Sequence, residues 1–305
     1  MKVFYCDHFD FPLPRHHRFP SRKFVLLRHV VATSGVVPPQ DLLPPAPATD
    51  EQLLRAHSFE YLSQVMNGRF TRREIDRIGL PWSPELVARA RCGAGSAIAA
   101  CRAALQDGVS VNLGGGTHHA SRDRGQGFCV FNDIVVAART MQAERLAQRV
   151  VVLDCDVHQG NGTAALAAGD PTIFTFSIHS ESNFPLHKAA SDLDIGLADG
   201  TGDGVYLEAL EEGLKKALSR ARADLAIYVA GADPYEDDLL GHLALSKAGL
   251  AQRDRLVFEF CRRASIPVAT STAGGYGRRI RDTVDIHVQT VRIAAEMAQE
   301  WRSDG

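Results

Sequence analysis

From about residue 109 to the C-terminus the chain alternates two kinds of segment, and this alternation constrains its fold more than any other feature. Short β-branched runs cover Val109 to Leu113, Val150 to Leu153, Thr172 to Ile178, Leu225 to Ala230 and Ile266 to Thr270. After them come loops rich in glycine and polar residues, and then amphipathic helical patterns. These patterns cover Asn132 to Gln148, Gly204 to Arg220, Ser246 to Ala264 and Ile280 to Trp301, with a shorter one near Thr163 to Ala168. Alternating strand and helix signals predict an α/β fold, a central, mainly parallel β-sheet with helices on both faces. The runs are nearly continuous in apolar residues, as strands covered on both faces are. A chain of 305 residues is long enough for one large α/β domain or two modest ones. The one compositional break, Val36 to Asp50, is rich in proline and is expected to be an extended surface loop. It is too short for a linker, so residues 1–305 are expected to form a single catalytic domain.

The loops after the runs hold most of the unusual polar residues. They read GGGTHH (114–119), DCDVHQGNG (154–162), HSESNF (179–184), GADPYEDD (231–238) and STAGGYG (271–277). Open parallel sheets bind ligands beyond the carboxyl ends of their strands, so these loops predict one shared site. Asp156 and His158 stand two apart in an extended segment and point the same way. Asp233 follows another run and precedes Pro234. Singly, the aspartates also read as helix caps and His158 as a loop histidine. Together, two carboxylates and an imidazole with no thiolate in reach suit a catalytic zinc ion that keeps one position open for water. The same donors accept Fe(II), Co(II) or Mn(II). His118 and His119, behind three glycines, suit a proton-handling pair. Asp154 and Asn161 flank the metal motif and are candidates to orient them. Tyr276, set among glycines, is placed to donate a hydrogen bond to a developing oxyanion.

Composition excludes several other classes. Basic and acidic residues nearly balance, 34 against 36, which argues against an electrostatic grip on nucleic acid. The six cysteines form no C-x-x-C pair and read as reduced thiols. The opening MKVFYCDHFD lacks the apolar run of a signal peptide, and no stretch approaches the roughly 18 apolar residues of a membrane helix. A soluble cytoplasmic protein without membrane or nucleic-acid partners is expected.

Taken together, these motifs resemble the histone deacetylase family of the arginase–deacetylase superfamily. The matching segments are GGGTHHA (114–120), DRGQGFCVFNDI (123–134), DCDVHQGNG (154–162), GADPYEDDLLGHLALS (231–246) and TAGGY (272–276), with PRHHRFPSRKFVLLR (14–28) near the start. HQGNG and DRGQGFC look most like the class IV branch and its bacterial relatives. The resemblance implies the arginase–deacetylase fold and zinc held by Asp156, His158 and Asp233. It implies His119 as general base, His118 as its electrostatic or acid partner, Asp154 supporting His118, Asn161 supporting His119, and Tyr276 polarising the acyl carbonyl. Phe128 and Phe184, with Gly275, would line a narrow channel for an acylated lysine, and Gly127 would offer it a backbone carbonyl. A potassium ion near the zinc, held by Asp154, Asp156, His158, Ser177 and Ile178, is also implied. Gln159 and Asn161 depart from the His and Asp common in class I members, and an uncharged Asn161 would raise the basicity of His119 less than an aspartate would.

The expected reaction is removal of acetyl or longer acyl groups from the ε-amine of lysine in proteins or peptides. Small acylated amines such as acetylpolyamines are the alternative substrates. A two-manganese ureohydrolase would need further bridging carboxylates beside Asp233, and a non-catalytic acyl-lysine binder would be expected to lack the tyrosine or a histidine. Rim loops should choose the substrate; the candidates are Arg18 to Lys23, Gly79 to Pro84 around Trp82, and Ser180 to Lys188, although Trp82 itself also reads strongly as a core aromatic.

Overall fold

The computed structural model describes residues 1–7, 11–14 and 16–303, so Arg15 of the N-terminal segment lies outside the described residues. In chain order its strands are β1 (Val3–Phe4), β2 (Leu42–Leu43), β3 (Val109–Asn112), β4 (Val150–Asp154), β5 (Ile173–Ser180), β6 (Leu193–Leu197), β7 (Leu225–Val229) and β8 (Val268–Ser271). They form one sheet in the order β2-β1-β3-β8-β7-β4-β5-β6. Every pairing is parallel, so the sheet is wholly rather than mainly parallel. The five runs legible in the sequence are the five adjacent strands β3, β8, β7, β4 and β5, and their loops emerge at one edge.

Successive side chains of a strand point to opposite faces, and this alternation divides the core in two. Val151 and Leu153 of β4 and Ala226 and Tyr228 of β7 join one cluster, while Val150, Val152, Leu225, Ile227 and Val229 join the other. The first is covered by α1 (Arg22–Thr33), α8 (Asp203–Ala221), α9 (Lys247–Arg263) and α10 (Ile280–Ser303). The second is covered by α5 (Pro84–Asp107) and α6 (Asp133–Ala143), with α2 (Asp50–Leu54), α3 (Phe59–Asn67), α4 (Arg72–Ile78) and α7 (Asn161–Ala167) packed beside them. Helix α6 stops at Ala143, short of the expected Gln148, because Arg145 turns into the left-handed region (φ 59°) to lead back to β4.

The segment 36–50 is extended but is more than a surface loop. Leu42–Leu43 pair with β1 as the sheet's edge strand, Pro39–Asp41 make a 3-10 turn, and Val37 and Ala48 are buried. Its far end is clamped to α5: Ala48 N donates to Arg91 O (2.9 Å), and Arg91 Nε donates to Ala48 O (3.1 Å). Gly95 makes this approach possible, since a Cβ there would stand 1.9 Å from Ala46 O. Gly95→Ala is therefore expected to displace the clamp and to cost roughly 1–3 kcal/mol by overpacking, read as a lowered midpoint in urea denaturation.

Candidate active site

The loop after β4 turns back on itself. Asp156 N donates to Asp154 Oδ1 (3.1 Å) and His158 N donates to Asp156 Oδ1 (3.0 Å). Asp233, beyond β7, accepts from Val157 N (3.0 Å), and Asp156 accepts from Gly274 N (3.0 Å). Three loops are thus stitched together by backbone donors to the two carboxylates. The result brings ligand atoms of Asp156, His158 and Asp233 within 4.8 Å of one another. His158 Nδ1 stands 3.1 Å from Asp156 Oδ1 and 3.3 Å from Asp233 Oδ2.

This trio fits a metal ion. Asp233 Oδ2 is buried and accepts no hydrogen bond, despite the nearness of His158. Burial and the neighbouring Asp156 hold the Asp233 carboxyl above its usual range, a cost that a cation between them would remove. Gly274 keeps the cradle open, since a Cβ there would stand 1.9 Å from Asp233 Oδ2. Two oxygens and one nitrogen suit zinc, and also Fe(II) or Co(II).

Beside the trio, His118 and His119 stack with ring centroids 4.1 Å apart. Asn132 and Asp133 position them. Asp133 accepts from Gly116 N and Thr117 N (2.9 and 2.7 Å), while Asn132 Nδ2 donates to Ala120 O (3.0 Å). The two rings then meet different partners. His118 Nδ1 lies 2.7 Å from Asp154 Oδ2, and His119 Nδ1 lies 2.8 Å from Asn161 Oδ1. Burial opposes charge on His118, but Asp154 and Asp156 outweigh it and push the ring up to about 9. Burial, His118 and His158 hold His119 well below its ordinary value. These surroundings favour a charged ring at His118 and a neutral one at His119. With Asn161 Oδ1 accepting from Nδ1–H, the Nε2 of His119 is left as a proton acceptor.

Tyr276 N donates to Asp238 Oδ2 (2.6 Å), which fixes the ring 6.5 Å from His158 and 5.9 Å from Phe128. Burial, with Asp233 and Asp156 nearby, pushes its phenol well above the usual range, so it remains a donor. Phe128 and Phe184 line a mouth of about 690 Å³ together with Gly127, His119, His158 and Tyr276. Phe184 packs edge-on against His119 at 4.9 Å. Phe128 is held at φ 64°, a conformation costly for a bulky residue. Gly275 is buried in the loop behind Tyr276 rather than on the mouth. Ser177 pairs in register with Asp154, which sets Ser177 and Ile178 of β5 beside the metal loop.

Two residues of the candidate rim loops pack inward, Trp82 in keeping with its core-aromatic reading. Trp82 turns away from the mouth: its Nε1 donates to Val65 O (2.8 Å) and its ring packs over Gly68. Lys23 is buried under the tyrosine loop, donating to Ala273 O (3.1 Å) and Gly275 O (3.3 Å). Burial pushes its amine down to about 8. Arg253 of α9 is a site residue to which the loop motifs do not point. It is wholly buried, and its Nη1 donates to Gly231 O (2.5 Å) and Cys155 O (3.3 Å), holding both carboxylate loops from behind. Asp254 balances its charge (2.8 Å) and accepts from Tyr228 and Thr290 (2.5 and 2.6 Å).

The histone deacetylase domain family matches residues 16–291. The chain belongs to the histone deacetylase family. A histone deacetylase-like amidohydrolase of Pseudomonas aeruginosa is 31% identical over 270 residues, covering 82% of this chain and 70% of its own length. An uncharacterized protein of Picosynechococcus sp. is 42% identical over 295 residues, covering 97% and 98%. The crystal structure of an HDAC homolog from Aquifex aeolicus matches with a TM-score of 0.83 at 22% identity, covering 97% of this chain and 83% of that one, a likeness in the arginase–deacetylase fold. Family membership makes the protein a deacetylase or amidohydrolase acting on amides. No helix among the described residues is long and apolar enough to cross a membrane, and all six cysteines are buried.

Because Arg253 anchors this deacetylase-family site from within the core, Arg253→Met is expected to strand Asp254 and free two buried carbonyls. The expected loss is about 3–5 kcal/mol, measured by urea unfolding of the metal-free protein.

Proposed function

We propose that the protein is a zinc-dependent deacylase that hydrolyses the amide of an acetylated or longer-acylated lysine side chain in a protein or peptide. The observation that carries this reading is the meeting, at the foot of one mouth, of an Asp-His-Asp trio with a neutral and a charged histidine and a protonated tyrosine. Held by Asp156, His158 and Asp233, a zinc ion would supply a Lewis acid for the acyl carbonyl and for water.

The chain's own groups do the rest. Phe128 and Phe184 hold the aliphatic part of the side chain between their rings, and Gly127 presents its carbonyl to the substrate. Tyr276 donates a hydrogen bond to the acyl oxygen as negative charge develops there. His119 takes a proton at Nε2 as water adds to the carbonyl carbon, and Asn161 steadies its Nδ1–H. The imidazolium of His118, anchored by Asp154, offsets the developing charge. The C–N bond then breaks while a histidine returns a proton to the nitrogen, giving a free amine and a carboxylate. A potassium ion held by Asp154, Asp156, His158, Ser177 and Ile178 belongs to the same reading.

Three outcomes test it. Tyr276→Phe and His119→Ala should each lower kcat on an acetyl-lysine peptide by about 10²-fold or more; full activity in both sinks the reading. Chelation should abolish turnover, zinc should restore it, and His158→Ala should bind no zinc in titration. Activity requires His118 charged and His119 neutral. It should therefore fall as pH rises through about 9, where His118 deprotonates, and hold down to acid pH until His119 protonates. Asp154→Asn removes the carboxylate that raises His118 and should move the alkaline limb down by about one unit or more. Asn161→Asp should move the acid limb up. Both follow from pH profiles of kcat/KM.

A further inference from the structure

The mouth has two unlike sides. One is built by the end of α4 and the segment before α1. Gly127 N donates to Arg77 O (3.1 Å) and Phe128 N donates to Ile78 O (2.7 Å), which fastens α4 to the channel wall. His17 and Phe19 pack on the Phe128 ring at 6.1 and 5.4 Å, so Arg18 between them is carried to the same rim. Arg18 and Arg77 line the mouth beside His16 and His17, and the acid in that lining is Asp76. Asp76 is engaged by Arg72 at 2.9 Å, and Glu74 by Thr71 and Gln64. Arg77 also borders an adjoining cleft of about 430 Å³, where Arg122 and Arg124 face a single acid, Asp123. Among the described residues, Arg18, Arg77, Arg122 and Arg124 form no ion pair. The opposite side, around Phe184 and Leu240, is apolar, and Leu186 and Leu239 beside them are 86% and 57% exposed.

We infer that this mouth selects acyl-lysine peptides whose flanking residues are acidic, and that Arg18 and Arg77 are the residues that set the preference. The inference rests on the deacylase reading above. Cationic groups next to the acylated nitrogen would face two arginines, and the one carboxylate among the described lining residues, Asp76, is already engaged by Arg72, which is repulsion built into the rim. Acetylated polyamines carry such groups at short spacing and are therefore poor substrates. The overall charge of −2 leaves no broad basic field of the kind a nucleic acid needs, so the acid is supplied by a peptide.

The test uses the zinc-loaded full chain and acetyl-lysine peptides that differ only in carrying Glu, Gln or Lys at the flanking positions, with N-acetylspermidine as a fourth substrate. At low salt kcat/KM should fall in the order Glu, Gln, Lys over a span of roughly 5- to 30-fold, as two exposed charge pairs allow. High salt should compress the span. Arg18→Glu combined with Arg77→Glu should invert the order, with the Gln peptide as internal reference for folding and chemistry. Equal kcat/KM for the three peptides at low salt, or N-acetylspermidine turned over as fast as the Glu peptide, would overturn the inference while leaving the deacylase reading intact. Failure to hydrolyse any of the peptides would instead overturn the deacylase reading.

Discussion

Two carboxylates buried side by side at one sheet edge set the terms for everything around them. Asp156 and Asp233 are all but inaccessible to solvent. Removing such charges from water costs several kcal/mol each unless something answers them. The backbone answers in part, through Val157 N and Gly274 N, and His158 answers in part through its ring. A divalent cation held between them would complete the compensation. Because the three side chains that would hold it sit on two different loops, after β4 and after β7, those loops must keep their relative positions whether or not the cation is bound. Arg253 does this by gripping the carbonyls of Cys155 and Gly231, each within two residues of a carboxylate ligand.

The same carboxylates divide the labour of the two histidines. His118 looks onto Asp154 and Asp156 and is drawn into the charged form, whereas His119 looks onto an uncharged amide and onto two other imidazoles and is driven neutral. Two adjacent residues of one loop are thus pushed in different directions, His118 up by the carboxylates of Asp154 and Asp156 and His119 down by burial and the rings of His118 and His158. Pairs of titratable groups pushed apart in this way are how one site can hold an acid and a base together. Burial and the two neighbouring imidazoles keep His119 on the neutral side, and the uncharged Asn161 opposes them less than an aspartate would.

The parts legible in the sequence share a physical cause. Strands β3, β4, β5, β7 and β8 are buried on both faces, so they read as apolar runs, and a parallel sheet puts their loops at one edge. The trio, the two histidines and Tyr276 stood out because packing alone seldom demands polar clusters on glycine-rich loops. Strands β1 and β2, with two residues each, are too short to show a period. Strand β6 is an edge strand, LDIGL, half exposed and interrupted by Asp and Gly. Arg253 and Lys23 are harder to read because each lies inside a helix and away from the loops. A signal is nonetheless present. Leu250, Arg253, Asp254, Val257, Phe258 and Cys261 fall on one helical stripe, as do Lys23, Leu27 and Val31. A charge on the apolar stripe of an amphipathic helix must be buried, and a buried charge must have partners. Trp82 follows its core-aromatic reading: its neighbours in sequence reach the rim, but an indole with a carbonyl to bond and a glycine to cover packs inward.

Chemistry and selectivity come from different parts of the chain. The ligands, the histidines and the tyrosine lie on loops after β3, β4, β7 and β8, where sheet geometry dictates their convergence. The basic side of the mouth comes from α4 and from the approach to α1, which reach it through contacts with Gly127 and Phe128. Phe128 therefore joins the two. Its strained backbone is held by the bond to Ile78 O, and its ring is packed by His17 and Phe19 on one side and Tyr276 on the other. Rim charges on α4 and the N-terminal segment can change without disturbing the metal loops, because they meet those loops through this aromatic hinge rather than through the ligands. Such a division lets the hydrolytic centre stay constant while the choice of substrate varies with residues that a strand-and-loop pattern does not reveal.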